Sequence, residues 1–164
     1  MQPTREFEPA KLNLFQAIVE QAPDAIIFAD RDGAIRVWNH GAETIFGYAA
    51  AEVLGKSLDV IIPERLRPAH WKGIHRAIDT GHTKYGDRVL TTRSVYKNGS
   101  KLYLNLSFGL MRDEANAVTG AMAVGRDGTA RYLSDGALRA RVAELEKRQT
   151  PDPNGHMPHE VAAE

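Results

Sequence analysis

The sequence predicts an α+β domain in which an antiparallel sheet carries a block of short helices. The first observation is the order of the elements: a helix, two strands, several short helices, three strands and a last helix. The second is the pair of turns Asp32-Gly33 and Asn98-Gly99, which are of the kind that joins antiparallel strands. The third is the alternation in residues 102–110, where a leucine or phenylalanine occupies every second position.

The composition fits a single globular domain. The chain has 164 residues, of which 43% are hydrophobic and 26% charged, so it can bury one core but not two full ones. Its 21 basic and 21 acidic residues give a formal net charge of zero, which does not favour nucleic acid as a partner. Because it contains no cysteine, disulfides, thiolate metal sites, cysteine nucleophiles and cysteinyl photoadducts are excluded.

The first half of the chain predicts a helix, a hairpin and two short helices. Apolar residues between positions 12 and 19 recur at helical spacing, and Pro23 ends this helix. The apolar runs 24–30 and 35–38 flank the Asp32-Gly33 turn and form the two strands of a hairpin. From Asn39 onwards the period changes, which indicates brief helices that end at Gly47 and Gly55.

The second half predicts a longer helix followed by three strands. Residues 64–79 form the longest internal helix, which Thr80-Gly81 ends. Residues 88–96 are rich in β-branched side chains and precede the Asn-Gly turn, so they pair with the alternating strand 102–110. A last strand covers residues 120–126.

These elements divide the chain into four parts. We expect residues 1–22 to be an extension with an amphipathic helix, 23–130 the folded domain, 131–149 a C-terminal helix and 150–164 a disordered, proline-rich tail. The C-terminal helix has the apolar spacing of a short coiled coil. The residues with this spacing are Leu138, Val142 and Leu145.

Several short motifs resemble those of the PAS domain family. In chain order they are residues 25–30, the turn Asp32-Gly33, residues 37–48, 52–56 and 61–64, the turn 97–100 and the closing Gly125-Arg126-Asp127. The resemblance covers about residues 14–130. It implies a PAS fold, with a five-stranded antiparallel sheet and short helices around a ligand pocket, and a role in sensing, dimerisation and signal relay. Since one fold serves many functions, the ligand has to be argued from the site.

Helical periodicity places one histidine on the apolar side of the long helix. That side carries Leu66, His70, Ile74, Ala77 and Ile78, and the side expected to face solvent carries Lys72, His75, Arg76 and Asp79. An inward histidine is most often a core residue bonded to a backbone carbonyl.

Residues 62–70 resemble the corresponding helix of haem-binding PAS oxygen sensors, in which a histidine at this place is the proximal iron ligand. The resemblance therefore implies b-type haem with His70 as the metal ligand. It implies further cofactor-binding residues: Leu90, Leu106 and Phe108 as an apolar distal wall, and Arg76 and Lys84 at the haem propionates. Ile74 follows His70 by one helical turn and is expected to line the same pocket.

Two differences from those sensors concern the distal side. Counting back from the Asn98-Gly99 turn places Leu90 where such sensors carry a gas-binding arginine, and Arg88 where they carry an iron-ligating methionine. Arg88 is predicted to share the strand parity of Leu90, which would let its side chain turn inward. The alternatives stay open: haem that senses O2, CO or NO, a flavin or another small molecule, or a ligand-free dimerisation or protein-interaction domain.

Other polar and aromatic residues have simpler predicted roles. Asn39 is expected to cap a helix, and Trp38 to lie in the core or on a dimer surface. His82 falls in a loop, and His156 and His159 form an HxxH pair without further metal ligands nearby. No nucleophile elbow, phosphate-binding glycine loop or cluster of metal-spaced carboxylates occurs, so we expect no enzymatic activity.

The segments outside the domain suggest a location and partners. The N-terminus is charged where a signal peptide would be apolar, and no apolar run approaches the ~18 residues that cross a bilayer, so we expect a cytoplasmic protein away from membranes. The roughly 35 residues after position 130 are too few for a kinase, cyclase or DNA-binding domain. We therefore expect a homodimer whose flanking helices pass the signal to a separate effector protein.

Overall fold

The computed structural model describes the backbone of residues 9–86 and 88–149, and the side chains of residues 13–86 and 88–148. The helices are α1 (Pro9–Gln21), α2 (His40–Phe46), α3 (Ala50–Val53), α4 (Arg67–Thr80) and α5 (Thr129–Gln149). The strands are β1 (Ala25–Asp30), β2 (Ile35–Trp38), β3 (Leu90–Val95), β4 (Lys101–Arg112) and β5 (Val118–Asp127). Two 3₁₀ helices, Leu58–Val60 and Glu64–Leu66, lie between α3 and α4. The predicted disordered tail and the HxxH pair lie outside the described residues.

The strands form one sheet in the order β2-β1-β5-β4-β3, and all four neighbouring pairs are antiparallel. The last strand of the sequence therefore lies at the centre, between β1 and β4. The predicted α+β class with a five-stranded antiparallel sheet is confirmed.

The helix predicted over residues 64–79 is divided in two. Residues Glu64–Leu66 form a 3₁₀ helix, and the α-helix begins only at Arg67. Pro68 is the reason, because its ring lacks an N–H and clashes with the carbonyl four residues earlier, so it is tolerated only in the first turn of an α-helix.

The predicted strand 88–96 is also shorter than expected. The backbone N–H and the Nε of Arg88 both donate to the carbonyl of Tyr85, each at 3.3 Å, which places Arg88 in a turn before β3. Leu90 is the first residue of the strand with a partner, Leu106. The prediction that the strand includes Arg88 is therefore wrong.

The strand register defines an inner and an outer face of the sheet, because directly paired residues of antiparallel strands project to the same side. The inner face carries buried residues of β1 and β4, namely Ala25, Ile27, Ala29, Leu102, Leu104 and Leu106. Side chains from the short helices complete the core, including Phe46, Val53, Leu58 and Ile61. The helical block thus covers the inner face of the sheet.

Asn39 joins the first helix, the first strand and the second helix. Its side-chain oxygen accepts the N–H of Ala42, which confirms the predicted N-cap, and also the N–H of Ile26. Its amide group donates to the carbonyls of Val19 and Asp24 at 2.9 and 3.0 Å. Since Asn39 is only 1% exposed, these bonds are shielded from water.

Trp38 lies in the core, which was one of its two predicted locations, the other being a dimer surface. It is 4% exposed, its ring centre lies 5.0 Å from that of Phe46, and its indole N–H donates to the carbonyl of Tyr48.

The described part of the chain divides into two compact units, one up to Thr129 and one from Ala130 onwards. The helix of the second unit carries exposed apolar side chains and, along its charged side, ion pairs between neighbouring turns. The exposed apolar residues include Leu138, Val142 and Leu145, and the ion pairs join Glu144 to Arg141 and Arg148. Of the helices described, none combines the length and the hydropathy needed to cross a bilayer.

Candidate functional site

Helix α4 turns one side towards the core, as its sequence period predicts. His70, Trp71, Ile74 and Ala77 are half-buried and Ile78 is buried. The residues predicted to face solvent, Lys72, His75, Arg76 and Asp79, are exposed. The helix ends at Gly81, whose φ of 69° is in the left-handed region that favours glycine at this position.

The imidazole of His70 contains a buried nitrogen without a partner. Among the described residues, no group forms a hydrogen bond with its Nε2 atom, which is screened from solvent. The carbonyl bond expected of an ordinary core histidine is therefore missing at this nitrogen. Buried polar atoms of this kind are rare in folded proteins and call for an explanation.

The protonation state of His70 follows from its surroundings. Burial lowers the pKa of His70 below its usual value, and the negative charge of Asp59 opposes this effect only in part. The imidazole is therefore neutral at pH 7, and one of its two ring nitrogens carries a free lone pair.

An apolar wall lies on the inner face of the sheet beside the core. Leu90 is paired with Leu106, and Phe108, two residues further along β4, is paired with Ala123. The neighbouring inner positions of β5 are small as well: Ala121 pairs with Leu110 and with Ala29, and Gly125 with Leu106 and Ala25. The central strand therefore contributes little side-chain volume to this wall.

The predicted cationic residues lie on the surface. Arg76 and Lys84 are exposed, and the Lys84 Nζ lies 5.8 Å from the ring centre of Tyr85. The Tyr85 ring in turn lies 6.2 Å from that of Phe108. Arg88 is exposed and bonded to the carbonyl of Tyr85, so its guanidinium is not part of the wall.

The sequence-predicted site residues thus fall into three groups. Leu90, Leu106 and Phe108 come together on the sheet wall, whereas His70 and Ile74 lie on the core side of α4. The cationic residues are Arg76, Lys84 and Arg88, all exposed.

A surface cleft of about 330 Å³ reaches the wall at Phe108. The lining includes Gly81, His82, Thr83, Leu110 and Arg112. The Nδ1 of His82 lies 2.8 Å from the Thr80 carbonyl, and Arg112 donates to the carbonyl of Gly81, so both side chains hold the turn after α4.

Two residues next to His70 were not expected from the sequence. The indole N–H of Trp71 donates to Oδ1 of Asp59 at 2.9 Å, and its ring centre lies 5.4 Å from that of His70, with the ring planes at 78°. The sequence does contain a signal for Trp71, because Trp71, Ile74 and Ile78 are spaced by three and four residues. An apolar side defined only by residues four apart, such as His70, Ile74 and Ile78, does not include Trp71.

His70 is not a member of a larger metal-binding cluster. Within the described part of the chain, no group of three or more histidine, cysteine, aspartate or glutamate side chains is arranged to hold a metal ion. A bare divalent ion requires about four ligands, so His70 alone would not retain one.

Comparison with known proteins identifies the family to which this domain belongs. The family model described as "PAS fold" matches residues 13–128. The crystal structure of a PAS domain from Colwellia psychrerythraea superposes with a TM-score of 0.62 at 21% identity and covers 71% of this chain and 96% of that one.

Two curated relatives are sensor proteins. The oxygen sensor protein DosP of Escherichia coli is 25% identical over 147 residues, which is 87% of this chain and 18% of DosP. The sensor protein FixL of Bradyrhizobium diazoefficiens is 29% identical over 99 residues, 59% of this chain and 19% of FixL. The chain therefore spans less than a fifth of the length of either relative. Together with the sheet order and the matched residues, these findings establish that the chain belongs to the PAS family of sensory domains.

Proposed function

We propose that this PAS domain binds b-type haem with His70 as the iron ligand, and that binding of a diatomic gas (O2, CO or NO) is passed on through the flanking helices. The observation that carries the proposal is the buried Nε2 atom of His70, which has no hydrogen-bond partner among the described residues. An imidazole that is neutral and unpartnered has the lone pair that an axial iron ligand needs.

A single histidine suits haem better than a free metal ion. The porphyrin supplies four nitrogen ligands, so the protein has to add only one side chain. This agrees with the absence of any larger metal-binding cluster in the described residues.

The surrounding residues are of the kinds that a haem site requires. Leu90, Leu106 and Phe108 are apolar and would exclude water from the gas-binding side. Arg76 and Lys84 are exposed, where cationic groups can hold propionates at the solvent edge. Haem iron, when bound, supplies the coordination position at which the gas binds.

The relatives support the same assignment. One of them is named as an oxygen sensor and another as a sensor protein, and the former matches 87% of this chain. We infer from this similarity that the gas signal acts on an effector protein.

The partners are proposed from exposed apolar surface. Leu14, Phe15 and Ile18 on α1 are each more than half exposed, and this surface would be covered in a homodimer. The exposed apolar residues of α5 would be covered in the same way, by the second copy or by the effector.

Absorption spectroscopy of the purified full chain, expressed with a haem precursor and also titrated with haemin, tests the proposal. We expect a Soret band and saturation at one haem per chain. The matched pair is His70→Gly and His75→Gly, because both histidines lie on α4 but only His70 faces the core. His70→Gly should lose the wild-type spectrum and regain it with added imidazole, whereas His75→Gly should keep it.

Other outcomes would contradict the haem proposal or the role of His70. Absence of a Soret band under both conditions would overturn the haem proposal, and a flavin spectrum in its place would support the flavin alternative. A wild-type spectrum that persists in His70→Gly without imidazole would exclude His70 as the ligand.

A further inference from the structure

A chain of contacts leads from Asp59 to the imidazole of His70. The carboxylate of Asp59, in the first 3₁₀ helix, accepts the indole N–H of Trp71 at 2.9 Å. The Trp71 ring meets the ring of His70 at 78°, with 5.4 Å between the ring centres. This edge-to-face arrangement is one of the two that aromatic rings prefer.

The indole of Trp71 is held on other sides as well. Gly33, in the turn between β1 and β2, packs so closely against it that a Cβ atom there would lie 2.1 Å from Cη2. The ring of His75, one turn further along α4, lies 6.0 Å away at an interplanar angle of 28°. Trp71 therefore has little freedom to rotate.

Asp59 is fixed from the start of the same helix. Nη2 of Arg67 donates to the backbone carbonyl of Asp59 at 3.1 Å, and Nε of Arg67 donates to the carbonyl of Ile62 at 3.2 Å. The guanidinium also lies 3.8 Å from Oδ1 of Asp59. These contacts hold Asp59 next to the first turn of α4.

We propose that Asp59, acting through Trp71, is a positioning residue that sets the orientation of the His70 imidazole and thereby the strength of its bond to haem iron. The inference rests on the proposed haem function. The outer torsion of a histidine side chain is broad, so the ring direction has to be imposed by its surroundings. The edge-to-face contact with Trp71 supplies that direction.

The expected size of the effect follows from other metal sites. Loss of a residue that orients a metal-bound histidine costs about 10- to 100-fold in affinity. We expect Trp71→Phe, Asp59→Ala and the double variant to lose haem about tenfold faster than the wild type. The two effects should add only in part, because Asp59 reaches His70 in part through its hydrogen bond to Trp71.

The test measures haem dissociation into an excess of an apo-globin acceptor, together with the iron–histidine stretching band in the resonance Raman spectrum of the ferrous full-length chain. The band reports the bond itself, so a general loss of stability would not shift it. Trp38→Phe is the matched control, because that indole also donates one hydrogen bond, to Tyr48, but lies elsewhere in the core. Circular dichroism and urea unfolding verify that each variant is folded.

The proposal predicts a shifted or broadened band and faster haem loss in Trp71→Phe and Asp59→Ala, and no change in Trp38→Phe. It is overturned if the band and the haem dissociation rate of Trp71→Phe and Asp59→Ala equal those of the wild type, or if Trp38→Phe changes both as much. If the wild type binds haem through His70 and the Trp71→Phe and Asp59→Ala variants behave like the wild type, the positioning role fails but the proposed haem function stands. If the wild type binds no haem, the proposed function itself fails.

Discussion

The side-chain oxygen of Asn39 accepts the backbone N–H of Ile26 at 2.8 Å, across 13 residues of sequence. The same side chain caps α2 and donates to carbonyls at the end of α1, so one buried amide determines how the first helix meets the sheet. Its removal leaves several backbone groups unpaired away from water, which costs more than the loss of an exposed cap.

We therefore expect Asn39→Ala to lower the free energy of unfolding by about 3 kcal/mol. Asn39→Asp should cost at least as much at pH 7, because the carboxylate still accepts from Ile26 and Ala42 but its second oxygen would be buried against the carbonyls of Val19 and Asp24. Urea unfolding monitored by circular dichroism measures both. A smaller loss for Asn39→Asp than for Asn39→Ala would contradict the role given to the donated hydrogen bonds.

A pair of glycine substitutions separates backbone strain from packing at Trp71. Gly33 and Gly55 have φ values of 80° and 79°, but a Cβ atom added at Gly33 would meet the Trp71 ring, whereas one added at Gly55 would have no described neighbour within 4 Å. Gly55→Ala should cost about 1 kcal/mol from the left-handed backbone alone. Gly33→Ala should cost about 1–3 kcal/mol more, because the new methyl group overpacks the indole. Similar unfolding midpoints for the two variants would argue against a tight contact between Gly33 and Trp71.

The pH dependence of stability should report on His70 in the haem-free protein. Burial lowers the pKa of His70 in the folded state below the 6.5 of an exposed histidine. Between the two values the unfolded chain binds more protons, so the contribution is fully present above pH 6.5 and is lost as the pH falls through the folded-state pKa.

His70→Leu removes this proton-linked contribution. Urea unfolding of the haem-free wild type and of His70→Leu at a series of pH values between about 5 and 8 measures the difference around the reference pKa. We expect the stability of the variant to decline less steeply below pH 6.5. Parallel curves for the two proteins would show that His70 is accessible to protons in the folded state.

The two faces of the central strand should respond differently to added volume. Ala123 pairs with Ile27 and Phe108 on the inner face, whereas the next residue, Val124, pairs with Ile26 and Ser107 on the outer face. Ala123→Leu adds side-chain volume to the wall and should weaken haemin binding by about tenfold, equivalent to ~1.4 kcal/mol.

Val124→Leu is the neighbouring control and should leave the haemin affinity unchanged. Haemin titration followed by absorbance gives both affinities, and urea unfolding gives the accompanying change in stability. If the two substitutions weaken binding equally, the inner face of β5 is not the ligand wall.

Local patterns in the sequence predicted most of the elements and the candidate histidine. Alternation and the Asn98-Gly99 turn are properties of neighbouring residues, so they predicted β4 and its hairpin. The inward side of His70 also followed from helical period alone. The start of β3 did not, because Arg88 is as compatible with a strand as its neighbours, and only its bonds to the Tyr85 carbonyl hold it in a turn.

The sequence by itself determined the inward side of most elements, since side-chain direction repeats within a few residues of an element, although it missed the contacts of Trp71. Only the tertiary structure decided which inward residues meet. It brought β5 to the centre of the sheet, placed the Gly33 turn against Trp71 of a much later helix, and left Nε2 of His70 without a partner among the described residues. These relationships join segments that are distant along the chain, and no local period encodes them, because they arise from how the elements pack around one core.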